Sequence, residues 1–381
     1  MKMSNTRKIN EQMAKCLNRH ELNRLLGMAV TNPVNEEVVF RDENDLLLRA
    51  RAFQASMEKA GVSYDGDEAM IAVMVCEVAS RALGTPPAKL PIPPQLLQGI
   101  VEESRVFHAG AFEDDPYLRT IAFPKENAGR FELSHASYAR YELMHYTVPA
   151  RKGAGIMIPR IGTFDHRFRY PRIKEGGTTW MSVTPNEILT MKGPIEEARG
   201  KVLTLGLGMG YFAFMASEKA EVESVTVVER EKEVVELFEN FLLPQFPHGD
   251  KIKIVQADAF DFVESLTDGE YDYCFADLWK GVGDCVTYLR MKIAMNGFAR
   301  MKKSFWIEDA IAAYMEPFVL LLFFEAAGDG KRSDGGNGEL MAELRRLFED
   351  VEITRSDQIE EYLSPEGLIR FLETRQWEAA R

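Results

Sequence analysis

Lys201-Val-Leu-Thr-Leu-Gly-Leu-Gly-Met-Gly-Tyr211 is a short apolar run that ends in glycines at alternate positions. Its aliphatic and β-branched start predicts a buried strand over 201–206. Gly206, Gly208 and Gly210 carry no Cβ and reach positive φ, so the chain turns sharply there. Its amides, at the mouth of the next helix, can then approach a ligand closely. Outward from this stretch, strand and helix alternate. The pattern predicts strands at 201–206, 224–229, 251–256, 271–277 and 303–307, with helices at 210–219, 231–243, 259–266 and 284–297 between them. Strands separated by helices imply right-handed crossovers and a parallel, doubly wound sheet of the α/β class. Ligands of such sheets sit beyond the carboxyl ends of the strands. Three acids fall there: Glu229, Asp258 and Asp277. Each alone is also what a helix cap needs; their coincidence at successive strand ends behind a glycine loop points to a ligand.

The 381 residues exceed the usual size of one domain, and 46% of them are hydrophobic, enough for about two cores. A net charge of -13 opposes contact with phosphate backbones and anionic membranes, so neither nucleic acid nor membrane is an expected partner. Cys16, Cys76, Cys274 and Cys285 show no CxxC spacing and read as small apolar residues in a reducing, cytoplasmic setting. The polar start Met1 to Lys8 and the shortness of the apolar run Phe318 to Phe324 predict neither export nor a membrane span. The histidines lack ligand spacing and no GxSxG occurs, so neither a metal site nor a nucleophile elbow is expected.

Apolar residues recur every three or four positions in Leu46 to Met57, Ala69 to Leu83 and Leu96 to Phe107, which predicts helices across residues 5–147. The Pro-rich piece Thr85 to Pro94 reads as a connector. Around residue 150 the texture turns to Gly, Pro, aromatic and β-branched residues, the pattern of short hairpins. Three units are expected: an all-helical amino-terminal domain at 1–147, a β-hairpin lid or connector at 148–190, and the Rossmann-like sheet domain at 191–381. Glu308 to Ala327 reads as a long helix, Gly328 to Gly338 as a flexible loop, and 350–354 as a further strand.

The glycine loop is not the GxGxxG of dinucleotide sites, because Tyr211 stands where the third glycine belongs and Gly210 comes one place early. It resembles motif I of the class I S-adenosylmethionine-dependent methyltransferases, over residues 201–307. That resemblance implies S-adenosylmethionine as cofactor. It puts Gly206, Leu207, Gly208 and Gly210 beside the methionine portion and ribose, with Tyr211 next to them. Glu229 would accept from both ribose hydroxyls, with Arg230 beside it; Asp258 and Ala259 would read adenine; Asp277 would stand by the reactive sulfonium as the candidate catalytic carboxylate. A carboxylate does offer two acceptor oxygens at the spacing of a vicinal diol. Methyl transfer from a sulfonium needs alignment and exclusion of water more than acid or base power. Where the nucleophile carries a proton, Asp277 can take or orient it.

Asp277-Leu-Trp-Lys280 is not the Asn/Asp-Pro-Pro-Tyr of one N-methyltransferase type, and Trp306-Ile-Glu-Asp309 lacks the metal ligands of the catechol type. The hairpins before the loop also resemble the spermidine synthase-like branch, whose loop acid aligns with Met209 here. Aminopropyl or aminobutyl transfer is therefore the alternative enzyme, and a non-catalytic S-adenosylmethionine-binding protein the alternative outside enzymes. Arg160 to Glu187 is expected to form a lid, with Trp180, Thr184, Asn186 and Glu187 as contacts to a small-molecule acceptor. A homodimer is compatible with this reading.

Overall fold

The structure is a computed structural model that describes residues 1–108, 110–328 and 335–376. The chain opens with helices α1 (Arg7–Leu26), α2 (Glu43–Lys59), α3 (Gly66–Leu83) and α4 (Pro94–Glu102). Thr6, Asp42 and Asp65 cap the first three by accepting from a backbone N–H of the first turn, and α4 starts on proline, which has no N–H to leave orphaned. The helical reading of residues 5–147 holds as far as Glu102. There the Ser104 hydroxyl donates to the Ile100 carbonyl at 2.6 Å, and Arg105–Phe107 leaves as a strand that pairs in parallel with residues 162–164. The first unit is thus not all-helical: further strands follow at Glu126–Ala128, Phe131–Tyr138 and Met144–His145.

Strands β1 (Glu126–Ala128), β2 (Phe131–Tyr138), β3 (Phe168–Glu175) and β4 (Thr178–Ser182) form one antiparallel sheet in the order β4-β3-β2-β1. Phe131, Leu133 and Ile173 turn into the core. The register of β4 slips between Thr179 and Met181, so Trp180 is a bulged residue and its side chain is re-aimed.

Helix α5 (Pro185–Glu197) leads into the parallel sheet predicted from the glycine stretch. Its strands are β5 (Gly200–Leu205), β6 (Val222–Glu229), β7 (Ile252–Gln256), β8 (Tyr273–Ala276) and β9 (Lys302–Phe305). They lie in the order β7-β6-β5-β8-β9, every neighbour parallel. The chain direction across the sheet reverses beside β5, which opens a crevice at the carboxyl ends. Helices α6 (Tyr211–Ser217), α7 (Lys232–Leu237), α8 (Ala259–Ser265) and α9 (Cys285–Ala294) make the crossovers. Successive residues of a strand face opposite layers: Leu203 and Leu205 join one core cluster, Val202 the other.

Helix α10 (Glu308–Ala327) covers the expected span. By length and composition it could cross a membrane, yet Ile311, Met315, Val319 and Phe323 are fully buried against the rest of the protein. Residues 329–334 of the expected glycine-rich loop lie outside the described residues. Helices α11 (Gly338–Leu347), α12 (Ser356–Tyr362) and α13 (Pro365–Glu373) complete this layer. The expected strand at 350–354 is Glu352–Ile353, paired with Lys2–Met3. Ile9, Met13 and Cys16 of α1 pack in the same cluster as α10 and α13, so the first helix is built into the sheet's own core.

Candidate functional site

At the end of β5 the chain is pinned from both sides. Gly206 N donates to the Val228 carbonyl at 2.9 Å, and Asp277 N donates to the Leu205 carbonyl at 2.9 Å. Gly206 has φ +100°, and a Cβ there would overlap the Asp277 carbonyl oxygen. At Gly208, φ +54°, an added Cβ would stand 2.8 Å from Met181 Cε. The glycines therefore serve first to let the loop close on its own neighbours. Gly206 and Gly208 wall a cleft of about 190 Å³; Gly210 lies behind it, against the Phe238 ring.

Glu229 ends β6 with 6% of its surface exposed. Its Oε2 accepts from Leu207 N at 3.1 Å and its Oε1 from Glu231 N at 2.9 Å. Burial raises this carboxyl above the usual range, and the backbone donors oppose the shift. Each oxygen keeps a further lone pair for a hydroxyl. Arg230, mostly exposed, pairs with Glu231 at 3.3 Å on the rim. Asp258 caps α8, with Oδ1 accepting from Phe260 N at 2.8 Å; the residue and the adjacent Ala259 line the cleft.

Asp277 stands at the end of β8, in the same cleft as Glu187 of α5. Burial first, then the neighbouring Glu187 charge, pushes the Asp277 carboxyl up to about 8. Burial lifts Glu187 to about 7 against its hydrogen bonds to Thr184 and Ser182. The structure thus brings Gly206, Gly208, Glu229, Arg230, Asp258, Ala259 and Asp277 together, with Trp180 and Glu187 from the expected lid.

The other expected contacts point elsewhere. Leu207 reaches Glu229 through its amide, and its side chain is buried. The Tyr211 hydroxyl donates to Asp115 Oδ2 at 2.9 Å, and the residue lines a small side cavity beside Asp277 and Glu187 instead of the cleft itself. Thr184 spends its hydroxyl on Glu187 at 2.7 Å, and the Asn186 carbonyl accepts from Thr190 within α5. Sequence reasoning did not single out Met181, Phe260, Leu278, Trp279 or Thr287, nor Trp306 as a cleft residue, all of which line the cleft. Position alone could have found two of them, since Trp306 directly follows β9 and Trp279 stands three residues after the end of β8.

No protein-family model matches the sequence, and no curated protein does. Among solved structures, a Klebsiella pneumoniae protein described as an O-methyltransferase is 18% identical with a TM-score of 0.23, over 30% of this chain and 50% of that one. The spermidine synthase of Thermotoga maritima is 19% identical with a TM-score of 0.29, over 42% and 58%. A Trypanosoma brucei PRMT1 enzyme-prozyme complex with AdoHcy is 17% identical with a TM-score of 0.24, over 31% and 37%. The chain thus spans less than two thirds of each of these three, and likenesses of this size carry no argument about activity.

Proposed function

We propose that this protein binds S-adenosylmethionine in the cleft at the carboxyl ends of β5 to β8 and transfers its methyl group to a small-molecule acceptor. The observation that carries the reading is the Glu229 carboxylate, held from two sides by the Leu207 and Glu231 amides beside the Gly206–Gly208 turn. Such a carboxylate is a rigid two-oxygen acceptor suited to a vicinal diol. Asp258 adds an acceptor for an amino group, and Val228, Ala257, Phe260 and Leu278 add apolar walls for a purine.

Once bound, S-adenosylmethionine supplies a methyl on a sulfonium, a leaving group that needs no protonation. The chain has to bind, align and keep water out. Trp180, Met181 and Trp306 close the reactive end, and Asp277 holds or moves the acceptor's proton. A cytoplasmic setting and independence from nucleic acid and membrane go with the acidic balance of the sequence.

Calorimetry with S-adenosylhomocysteine tests the binding, with a saturable one-to-one isotherm expected. Mass analysis of the spent cofactor after turnover tests the chemistry: S-adenosylhomocysteine marks methyl transfer, and methylthioadenosine would mark transfer of the aminopropyl arm instead. No binding at saturating concentration, or binding of a nicotinamide dinucleotide in its place, removes the proposal.

A further inference from the structure

The reactive end of the cleft carries one carboxyl group more than methyl transfer by itself requires. The Asp277 carboxylate accepts no hydrogen bond among the described residues, although the residue is partly buried. On Glu187, Oε2 is taken by the amide and hydroxyl of Thr184 at 2.6 and 2.7 Å, while among the described residues Oε1 has only the Ser182 hydroxyl at 3.3 Å. Burial first, then the Glu187 charge, raises the Asp277 carboxyl, and among the described residues no cation acts on either group. Arg230 and Lys280 line the same cleft but are exposed at its rim.

A second, independent feature surrounds these acids. Trp180, Trp279 and Trp306, three of the chain's four tryptophans, line this one cleft. Trp279 Nε1 donates to the Trp306 carbonyl at 3.0 Å and Trp306 Nε1 to the Thr190 hydroxyl at 2.9 Å. Trp180 stands edge-on against Phe131 at 5.2 Å between ring centroids. With two indole N–H groups spent inside the protein, what Trp279 and Trp306 offer the cleft is ring surface. Indole faces attract cations through the ring quadrupole, and carboxylates bind them by charge-assisted hydrogen bonds. An anionic acceptor would be repelled here, and a hydroxyl or thiol would leave the second carboxylate without use.

Resting on the proposed methyl transfer, we infer that the acceptor is a cationic amine, its ammonium held between Asp277 and Glu187 and walled by the tryptophans. The ammonium yields one proton to the Asp277 carboxylate. The freed nitrogen lone pair forms the N–C bond to the methyl carbon as the C–S bond breaks, its electron pair passing to sulfur. The Asp277 proton then leaves to solvent and the product is the N-methylammonium. Glu187 keeps its charge throughout and holds the nitrogen in line.

The experiment titrates n-butylammonium into the full chain saturated with S-adenosylhomocysteine, followed by tryptophan fluorescence, with n-butanol and butyrate as uncharged and anionic controls. Saturable quenching by butylammonium is expected, with affinity at least about tenfold above either control, as a desolvated cation–π and ion-pair site provides. In Glu187→Gln, which keeps a cap acceptor for Thr184, and in Asp277→Asn, that affinity falls about tenfold or more, and by more than the affinity for S-adenosylhomocysteine measured on the same variants by calorimetry. The probe comparison on the unaltered chain stands even where a variant folds poorly. S-Adenosylhomocysteine binding without preference for the cation overturns this inference and leaves the transferase reading. Cation preference without S-adenosylhomocysteine binding keeps the amine site and removes that reading; failure of both removes both. If instead Asp277→Asn weakens S-adenosylmethionine relative to S-adenosylhomocysteine and leaves butylammonium binding unchanged, the acids serve the sulfonium and the inference is overturned.

Discussion

The Asp277 carbonyl oxygen occupies the space that a Cβ on residue 206 would need, and residue 206 sits at φ +100°. One glycine therefore joins the ends of β5 and β8 and aligns the wall that carries the Asp277 carboxylate. Gly206→Ala adds both backbone strain and a clash with main chain, and is expected to cost about 2–4 kcal/mol of stability. Gly281, in extended backbone with nothing within 4 Å of an added Cβ, is the control, and Ala there stays within about 0.5 kcal/mol. Urea unfolding of both variants checks this through the midpoint at unchanged slope.

Glu229 clasps the glycine loop, and its proposed role toward a ribose separates from that clasp on substitution. Glu229→Ala removes the proposed acceptors of the ribose hydroxyls, and S-adenosylhomocysteine binding is expected to weaken by about 2–3 kcal/mol. It also orphans the Leu207 and Glu231 amides, so stability falls by about 1–3 kcal/mol. Calorimetry at a temperature well below the transition keeps the two readouts apart. Loss of stability with unchanged affinity would leave Glu229 as a loop clasp only.

Much of this site was legible because its parts are local. β-Branched runs in β6 and β7 and the aromatic run of β8, each with an acid at or just past its end, mark these strands, and each acid's place follows from the period. What escaped depends on partners distant in sequence. Tyr211 turns away because Asp115, 96 positions upstream, takes its hydroxyl. Phe131–Tyr138 was missed as a strand because its partner Phe168–Glu175 lies beyond two intervening hairpin segments. Trp180 is an expected contact, but the bulge at its position in β4 is one that no composition signals. The amino-terminal helix seemed separate because Arg19 meets Glu316 across 297 positions.

The paired carboxyls set a pH dependence. Asp277 and Glu187 are raised to about 8 and about 7 in the folded protein, whereas carboxyls of an unfolded chain titrate near about 4. Between those values the folded state holds more protons. The stability tied to this pair is therefore full below about pH 4 and is lost as pH rises through 7 to 8, at no more than about 1.4 kcal/mol per pH unit for each proton. Glu316, raised to about 7 by burial, adds a slope of the same sign. The difference between the unaltered chain and Asp277→Asn isolates the pair: the variant is expected to lose less stability from pH 6 to 8.5 in unfolding titrations without ligand. Parallel curves would mean that Asp277 is ionised throughout.

Arg19 offers the sharpest test of how the two ends of the chain are joined. Buried to 8% exposure, its guanidinium meets Glu316 at 3.3 Å and Glu360 at 3.2 Å, and donates to the Leu363 and Ala154 carbonyls at 2.8 and 3.1 Å. It thereby ties α1 to α10, α12 and the hairpin near residue 154. Arg19→Met strands the buried Glu316 carboxylate with only Arg151 at 3.9 Å, and is expected to cost about 3–5 kcal/mol. Because a buried ion pair repays little beyond its own desolvation, Arg19→Met with Glu316→Leu should recover most of that loss. A double variant no more stable than the single one would show that the carbonyl contacts of Arg19, and not its charge partner, hold the amino-terminal helix against the sheet's core.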